Sequence, residues 1–376
     1  MELSVSRSLM EASIDIEAMA SFIAGLQKGS GEIPWSEGGK TDPWDHIESA
    51  MGLSVAGYLR EAERAYEWLA RMQLPDGSWR AAYRDGVPED MTKDANLSSY
   101  IAVGALHHYL ITDDISFLHA MWPSVRAGIE YAVDLQAPTG EIYWARNGED
   151  VVDPMALLTG SSSVYMSIKC ALAIAARLGK RRREWEIAFE KLGHAIRYRP
   201  DLFNMINSRY SMDWYYPILC GAVTGLEARK RIDKFWDKFV VPEWGVRCVS
   251  DRPWVTMAET SELVVTLEGI GDYELAERIF HCLRDKRYDD GSYWMGVTFP
   301  DSVIWPEDRT SWTAAAVLLA FDALNDLTPA SCLFRHSFWN ALEPEIIAET
   351  AQRYQPRQVK KNWRSPVQNP MSAMKE

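Results

Sequence analysis

Six short stretches of this 376-residue chain set polar, chemically capable side chains beside aromatic ones, each at the start of an apolar helical pattern. They are TDPWDH (41–46), TKDANLSSY (92–100), LTGSSSVY (158–165), YSMDWYY (210–216), SDRPWVTMAETSE (250–262) and WPEDRTSW (305–312). Five of the six carry a carboxylate and four carry a Trp, while LTGSSSVY offers three hydroxyls and a Tyr. Taken singly, Asp94, Ser161 and Asp308 read as helix caps, because Asp and Ser accept hydrogen bonds from the free N–H groups of a first turn. Capping gives no reason for Trp44, Trp214, Tyr215, Trp254 and Trp305 to accompany them. Carboxylates that bond hydroxyls, with aromatic faces that stack on rings, describe a pocket for a neutral polyhydroxylated ligand.

Breaking a glycosidic bond needs two carboxylates, one protonated as the acid and one acting as base or nucleophile. Asp213, Glu259, Asp94 and Glu307 are the candidates for that work. Asp42, Trp44, Asp45, His46, Tyr165, Trp214, Tyr215, Arg252, Trp254 and Trp305 are the expected substrate-binding set. Within it, His46 and Arg252 would orient a hydroxyl or a carboxylate, although a His beside an Asp is more often a local hydrogen bond. Glu149 and Asp153 are further acids near the third stretch. On this reading, Asp213→Asn and Glu259→Gln abolish turnover without unfolding the protein.

The elements that must position these residues follow from a repeat. LQKGSGEIPW (26–35), MQLPDGSW (72–79) and LQAPTGEIYW (135–144) each run from a Gln through a Gly turn to a Trp. KRYDDGSYW (286–294) keeps the Gly and the Trp without the Gln. Recurrence at the ends of helical patterns marks a joint of a repeat architecture. Its Gln amide can satisfy orphan carbonyls, its Gly supplies a positive φ, and its Trp covers the helix end. Between joints the spacing predicts twelve helices. Six are apolar nearly all round, at about 43–58, 94–111, 161–178, 212–224, 256–269 and 309–325. Six are amphipathic, at about 8–26, 60–72, 115–135, 182–198, 227–240 and 272–286. Buried helices alternating with half-exposed ones predict an all-α, single-domain (α/α)6 toroid over residues 1–328. The first helix is the outer partner beside the last inner one. Residues 329–376 form a C-terminal extension, loosely ordered beyond about 355. Every inner helix is entered from a long loop, so all six stretches lie on one rim.

Two resemblances follow from these motifs. The Gln…Gly…Trp joint resembles the repeat of squalene cyclases and their prenyltransferase-like relatives. The segment HHYLITDDISFLHAMWPSVRAGIEYAVDLQAPTGEIYW resembles the six-hairpin glycosidases, glucoamylase type above all. Both imply the toroid. The second implies an inverting hydrolase whose carboxylates stand roughly 6.5–9.5 Å apart, with Glu307 resembling the base that precedes the last inner helix. The cyclase branch needs an Asp-x-Asp-Asp run, a zinc set of Asp, Cys and His, or Asp-Asp-x-x-Asp for magnesium, and the sequence has none. A carbohydrate-active enzyme, a glycoside hydrolase, is the favoured function. A terpenoid cyclase or prenyltransferase-like protein is the alternative, and a non-catalytic glycan-binding toroid the second. That last class would pair its pocket carboxylates with Arg or Lys, whereas an enzyme would keep at least one desolvated carboxyl with a raised pKa.

No nucleotide-binding Gly motif, His-Glu-x-x-His or nucleophile elbow occurs, and His107 and His108 are adjacent on a helix, facing different directions. Neither a cofactor nor a metal is expected. The net charge of −13 argues against nucleic acid, and no apolar run is long enough to insert in a membrane. Five cysteines without a C-x-x-C pair suggest a reduced protein of the cytoplasm. The oligomeric state is left open, and the partner is an oligosaccharide or small-molecule substrate.

Overall fold

A computed structural model of the chain describes residues 14–340. Its helices alternate between two concentric rings. The inner ring comprises α2 (Pro43–Val55), α4 and α5 (Ala95–Ser99 and Ile101–Thr112), α7 (Leu158–Arg177), α9 (Met212–Leu219), α11 (Met257–Gly269) and α13 (Ser311–Asn325). The outer ring comprises α1 (Ile16–Leu26), α3 (Leu59–Met72), α6 (Ile115–Asp134), α8 (Arg183–Tyr198), α10 (Gly225–Phe239) and α12 (Tyr273–His281). Inner helices pack in chain order, α2 on α5, α5 on α7, then α9, α11 and α13, and α13 returns to α2, so the ring is closed. The fold is the (α/α)6 toroid.

Sequence decides which ring a helix joins. Every residue of α5 from Ile101 to Leu110 is buried, including His107 and His108. In α3 burial is confined to Ala62, Ala65, Tyr66, Trp68 and Leu69, one stripe at helical spacing with charges elsewhere. Ring closure depends on a small residue: a Cβ on Gly52 of α2 would stand 2.9 Å from the Cα of Ala315 on α13. Two helices stop earlier than their patterns. Helix α9 ends at Leu219 because Gly221 takes a φ of 71°. Pro217 in the same helix has no N–H for the Asp213 carbonyl, and the Arg231 guanidinium donates to it instead (2.7 Å). After His281 the chain tightens into successive i+3 turns up to Lys286. The part of the first outer helix expected at 8–13 lies outside the described residues.

The joints stitch neighbouring outer helices together. Gln73 Nε2 donates to Gly77 O (2.8 Å) in its own turn and to Ser124 O (3.0 Å) of the next outer helix. Gln27 does the same with Gly31 O and Glu61 O, and Gln136 with Gly140 O and Ala188 O. Gly77 has φ 89°, and a Cβ there would meet Ala127 O at 2.2 Å. Trp79 is fully buried, its indole N–H donating to Leu69 O (2.8 Å).

Entry loops form the rim, where the short strands lie. These are β1–β2 (Ala82–Arg84, Val87–Asp90), β3–β4–β5 (Lys93–Asp94, Ala145–Arg146, Val152–Asp153) and β6–β7–β8–β9 (Val240–Val241, Gly245–Arg247, Trp254–Thr256, Gly296–Thr298). Backbone bonds run from loop to loop around the mouth: Thr41 with Tyr83, Lys93 with Arg146, Asn204 with Ala156, Tyr210 with Val249, Trp254 with Thr298, and Ser311 with Trp35. At the opposite end, the chain beyond 328 forms a 3-10 turn (Pro329–Cys332) and α14 (His336–Asn340), where His336 bonds Ile218 O (2.7 Å). Residues 341–376, which include the tail expected to be loose, lie outside the described residues.

Candidate active site

The N-termini of the inner helices carry a group of buried carboxylates. Asp42 caps α2, accepting from Asp45 N–H (3.0 Å) and from the Trp35 indole N–H (2.6 Å). Asp45, in the first turn, is half-buried, and burial, then the charges of Asp42 and Glu48, raise its carboxyl well above the usual range. One turn deeper, Glu48 accepts from Trp44 Nε1 (2.8 Å) and Tyr100 OH (3.2 Å), and burial pushes it up to about 7. Across the ring on α11, Glu262 accepts from Tyr215 and Tyr216 OH, the latter at 2.6 Å, and burial and the charge of Glu48 raise it too. Glu259 lies within electrostatic reach of both Glu48 and Glu262, and its buried Oε2 has no hydrogen-bond partner. Trp44 packs on Tyr100 and Tyr216 (5.4 and 5.7 Å between ring centres), so the aromatic rings fill the space between the two acidic helices.

Beside this floor opens a cavity of about 290 Å³, lined by Trp44, Asp94, Trp144, Ser161, Asp213 and their neighbours. Asp94 caps α4 through Asn96 and Leu97 N–H (2.6 and 3.1 Å), and burial lifts its carboxyl to about 6. Asp213 accepts from Thr159 N and Oγ1 (3.1 and 2.6 Å) and is raised, again by burial. Among the described residues, none of Asp42, Asp45, Glu48, Asp94, Asp213, Glu259 and Glu262 forms an ion pair with Lys or Arg. Their partners are indoles, phenols, a hydroxyl, backbone N–H groups and, for Glu259, the Cys248 thiol. A neutral acid beside a carboxylate that keeps one oxygen free of hydrogen bonds can donate and accept protons at one mouth.

The structure places several residues of the expected set away from the cavity. His46 is buried in the joint, its Nδ1 accepting from Ile33 N–H (3.1 Å) and its Nε2 donating to Ala65 O (2.9 Å), and burial lowers it to about 4. It is a neutral fastener. Trp214 turns outward, donating to Arg231 O (2.9 Å) and stacking on Phe239. Tyr165 stacks on Phe189 of the outer ring at 4.2 Å. Tyr215 is fully buried and serves Glu262, so it touches no ligand directly. Trp254 and Trp305 pair with each other (5.3 Å) outside the cavity, and Arg252, Glu307, Asp308 and Glu149 are exposed on loops. Thr310 occupies the N-cap of α13 where Asp308 was expected, and Ser161 lies inside α7, whose N-cap is Leu157. Asp153 holds its own turn through Met155 N–H. Brought together are Asp42, Trp44, Asp45 and Glu259, with Asp94 and Asp213 in the adjoining cavity.

Sequence reading passed over Glu48, Glu262, Tyr100 and Trp144. A signal existed: Glu48 stands three residues after Asp45, and Glu262 three after Glu259, one turn down the same helix face inside otherwise apolar helices. Among the described residues no group of His, Cys, Asp and Glu has the arrangement of a metal site.

Comparison with solved structures places this architecture among the α/α toroids. A GH63 mannosylglycerate hydrolase from Thermus thermophilus, solved in complex with glucose, superposes with a TM-score of 0.62 at 12% identity, over 81% of this chain and 99% of that one. A wild-type glycosidase superposes at 0.59 and 15% identity, over 84% and 96%. A D-mannose isomerase reaches 0.63 at 9% identity, over 83% and 96%, so the fold by itself does not fix the reaction. No family model matches the sequence. These superpositions show the fold of an α/α toroid. The sequence is 50% identical over 316 residues, 84% of this chain and 88% of the relative, to the MMP endo-(1,4)-3-O-methyl-alpha-D-mannosidase of Mycolicibacterium hassiacum. The chain belongs to that family and is a glycoside hydrolase.

Proposed function

We propose that the protein hydrolyses an internal α-1,4 bond between O-methylated mannose units, with Asp45 as general acid and Glu259 as general base. The identity to a 3-O-methylmannosidase across nearly the whole fold supports the substrate. The observation that carries the pair is the contrast between two carboxyls of the same mouth. Asp45 holds a proton through burial and the neighbouring charge of Asp42, and stays half-exposed. Glu259 keeps a buried oxygen that no protein group occupies. Asp94 and Asp213, by contrast, each spend an oxygen on backbone N–H groups.

In this reaction Asp45 gives its proton to the leaving glycosidic oxygen as the C1–O bond breaks. Water adds to C1 and passes a proton to Glu259, so two hydroxyl-terminated fragments leave and the acid and base exchange states. Attack from the face opposite the leaving group inverts the anomeric centre, as the glucoamylase resemblance implies. Glu48 and Glu262, fixed by Trp44 and three tyrosines, hold the floor on which the reacting ring rests. The five cysteines, all free, support the cytoplasmic location that their spacing suggests. The test is turnover of a methylated α-1,4-mannoside by the wild type, Asp45→Asn and Glu259→Gln. Loss in both variants with unchanged melting supports the assignment; wild-type rates in either one removes that residue from its role.

A further inference from the structure

Beside the proposed acids, the 290 Å³ cavity has a lining of two kinds. One is polar and unsatisfied: Asn96 Oδ1, Trp144 Nε1 and Ser161 Oγ are buried without a hydrogen-bond partner. Asn96 and Ser161 are 5% and 3% exposed. Unpaired buried polar atoms are destabilising unless a partner arrives, and here an acceptor, a donor and a hydroxyl lie around one space. The other is aliphatic: Leu97, Leu157 and Met212, each half-buried, also line it. A free mannose ring would satisfy the first and set hydroxyls against the second. A ring carrying a methyl ether satisfies both.

We propose that this cavity is a sugar subsite that reads an O-methyl group, its methyl on Leu97, Leu157 and Met212 and its hydroxyls on Asn96, Trp144 and Ser161. The inference deepens, and rests on, the methylmannosidase reading above. It assigns discrimination between methylated and free sugar to residues outside the acid–base pair. Burying one methyl on aliphatic side chains is worth about fourfold in kcat/KM. Replacing Met212 by Gln keeps side-chain length and puts an amide where the methyl would lie.

The experiment measures kcat/KM for a pair of α-1,4-linked manno-oligosaccharides, one 3-O-methylated and one unmethylated, in the wild type, Met212→Gln, Leu157→Gln and Trp144→Phe, with melting curves for each. The wild type is expected to favour the methylated substrate by at least fourfold. Met212→Gln should bring that ratio to about one, and Leu157→Gln serves the same purpose should Met212→Gln fail to fold. Trp144→Phe removes a donor common to both substrates, so it should lower both values and keep the ratio. Turnover of both substrates with a ratio unmoved by either Gln variant would overturn the subsite while leaving the hydrolase reading intact. Turnover of neither by the folded wild type would overturn that reading and the subsite with it.

Discussion

The two ends of the inner ring use the same residue types in opposite ways. At the base, Glu268 of α11 and Asp326 after α13 share Arg335, whose guanidinium also donates to Ala323 O (2.7 Å) and lies 2.6 Å from Asp326. Asp322 is the exception at that end: it accepts from Thr328 N–H and Oγ1 (2.7 and 2.8 Å), and burial raises its carboxyl to about 7. At the mouth, the acids meet neutral donors only, and three of them stand within one another's field. A buried carboxyl next to a cation is held ionised and works as a fastener. A buried carboxyl among indoles and other acids holds its proton more tightly and can deliver it. A silent glycan-binding toroid would pair its pocket carboxylates with Arg or Lys. This one does not.

Substitutions can break that contrast from either side. The largest effect belongs to the mouth: Asp45→Asn and Glu259→Gln should each lower kcat/KM by roughly 10²–10⁴, the usual worth of a positioned acid or base, with melting temperatures close to wild type. At the base, Arg335→Ala should destabilise the fold by about 3–5 kcal/mol in urea unfolding, because it removes the cation that two buried carboxylates share. Activity per folded molecule should persist. A rate loss in Arg335→Ala beyond its loss of folded protein would blur the division between the ends.

A third expectation concerns pH. Glu48 sits at about 7 in the folded protein against 4.5 when unfolded, so the native state binds its proton more tightly. Its contribution is fully present below about 4.5 and is lost as pH rises through 7. Glu48→Gln cannot lose it, so the variant's stability relative to wild type should improve between pH 4.5 and 8, on the order of 1–3 kcal/mol. A difference constant across that interval would show that Glu48 is not the group described. The smallest effect is expected at the joints. Gln73→Ala removes the bonds to Gly77 O and Ser124 O and should destabilise by about 1 kcal/mol in the same unfolding measurement, with kcat/KM unchanged.

Much of the architecture was legible because each hairpin repeats it. Alternating all-apolar and striped helices, with a Gln-Gly joint at three outer ends, require two rings, and the ring order follows from the chain. Asp42, Trp44, Asp45 and Glu259 could be picked out because a carboxylate beside an indole at an inner helix start must face the rim. What failed was side-chain direction. Trp214 and Tyr165 share helix starts with true lining residues, yet their faces of the helix point to the outer ring, against Phe239 and Phe189. Glu307 had the right place in the chain, but Pro306 and the following loop leave it in solvent, one residue type in two environments that spacing alone does not separate. The setting of His46 is not legible in the sequence because its partners, Ile33 N–H and Ala65 O, come from segments brought near only by the fold. Glu48 and Glu262 were missed for a simpler reason: an acid one turn inside an apolar helix looks like an interruption until the neighbouring tyrosines are seen.

The central claim, that the mouth acids Asp45 and Glu259 hydrolyse a methylated α-mannoside, is tested most directly by following new reducing ends from a 3-O-methylated α-1,4-mannoside oligosaccharide. The account predicts shorter oligosaccharides from the wild type, and none above background from Glu259→Gln at the same melting temperature. Equal release by the variant, or none by the folded wild type, would contradict it.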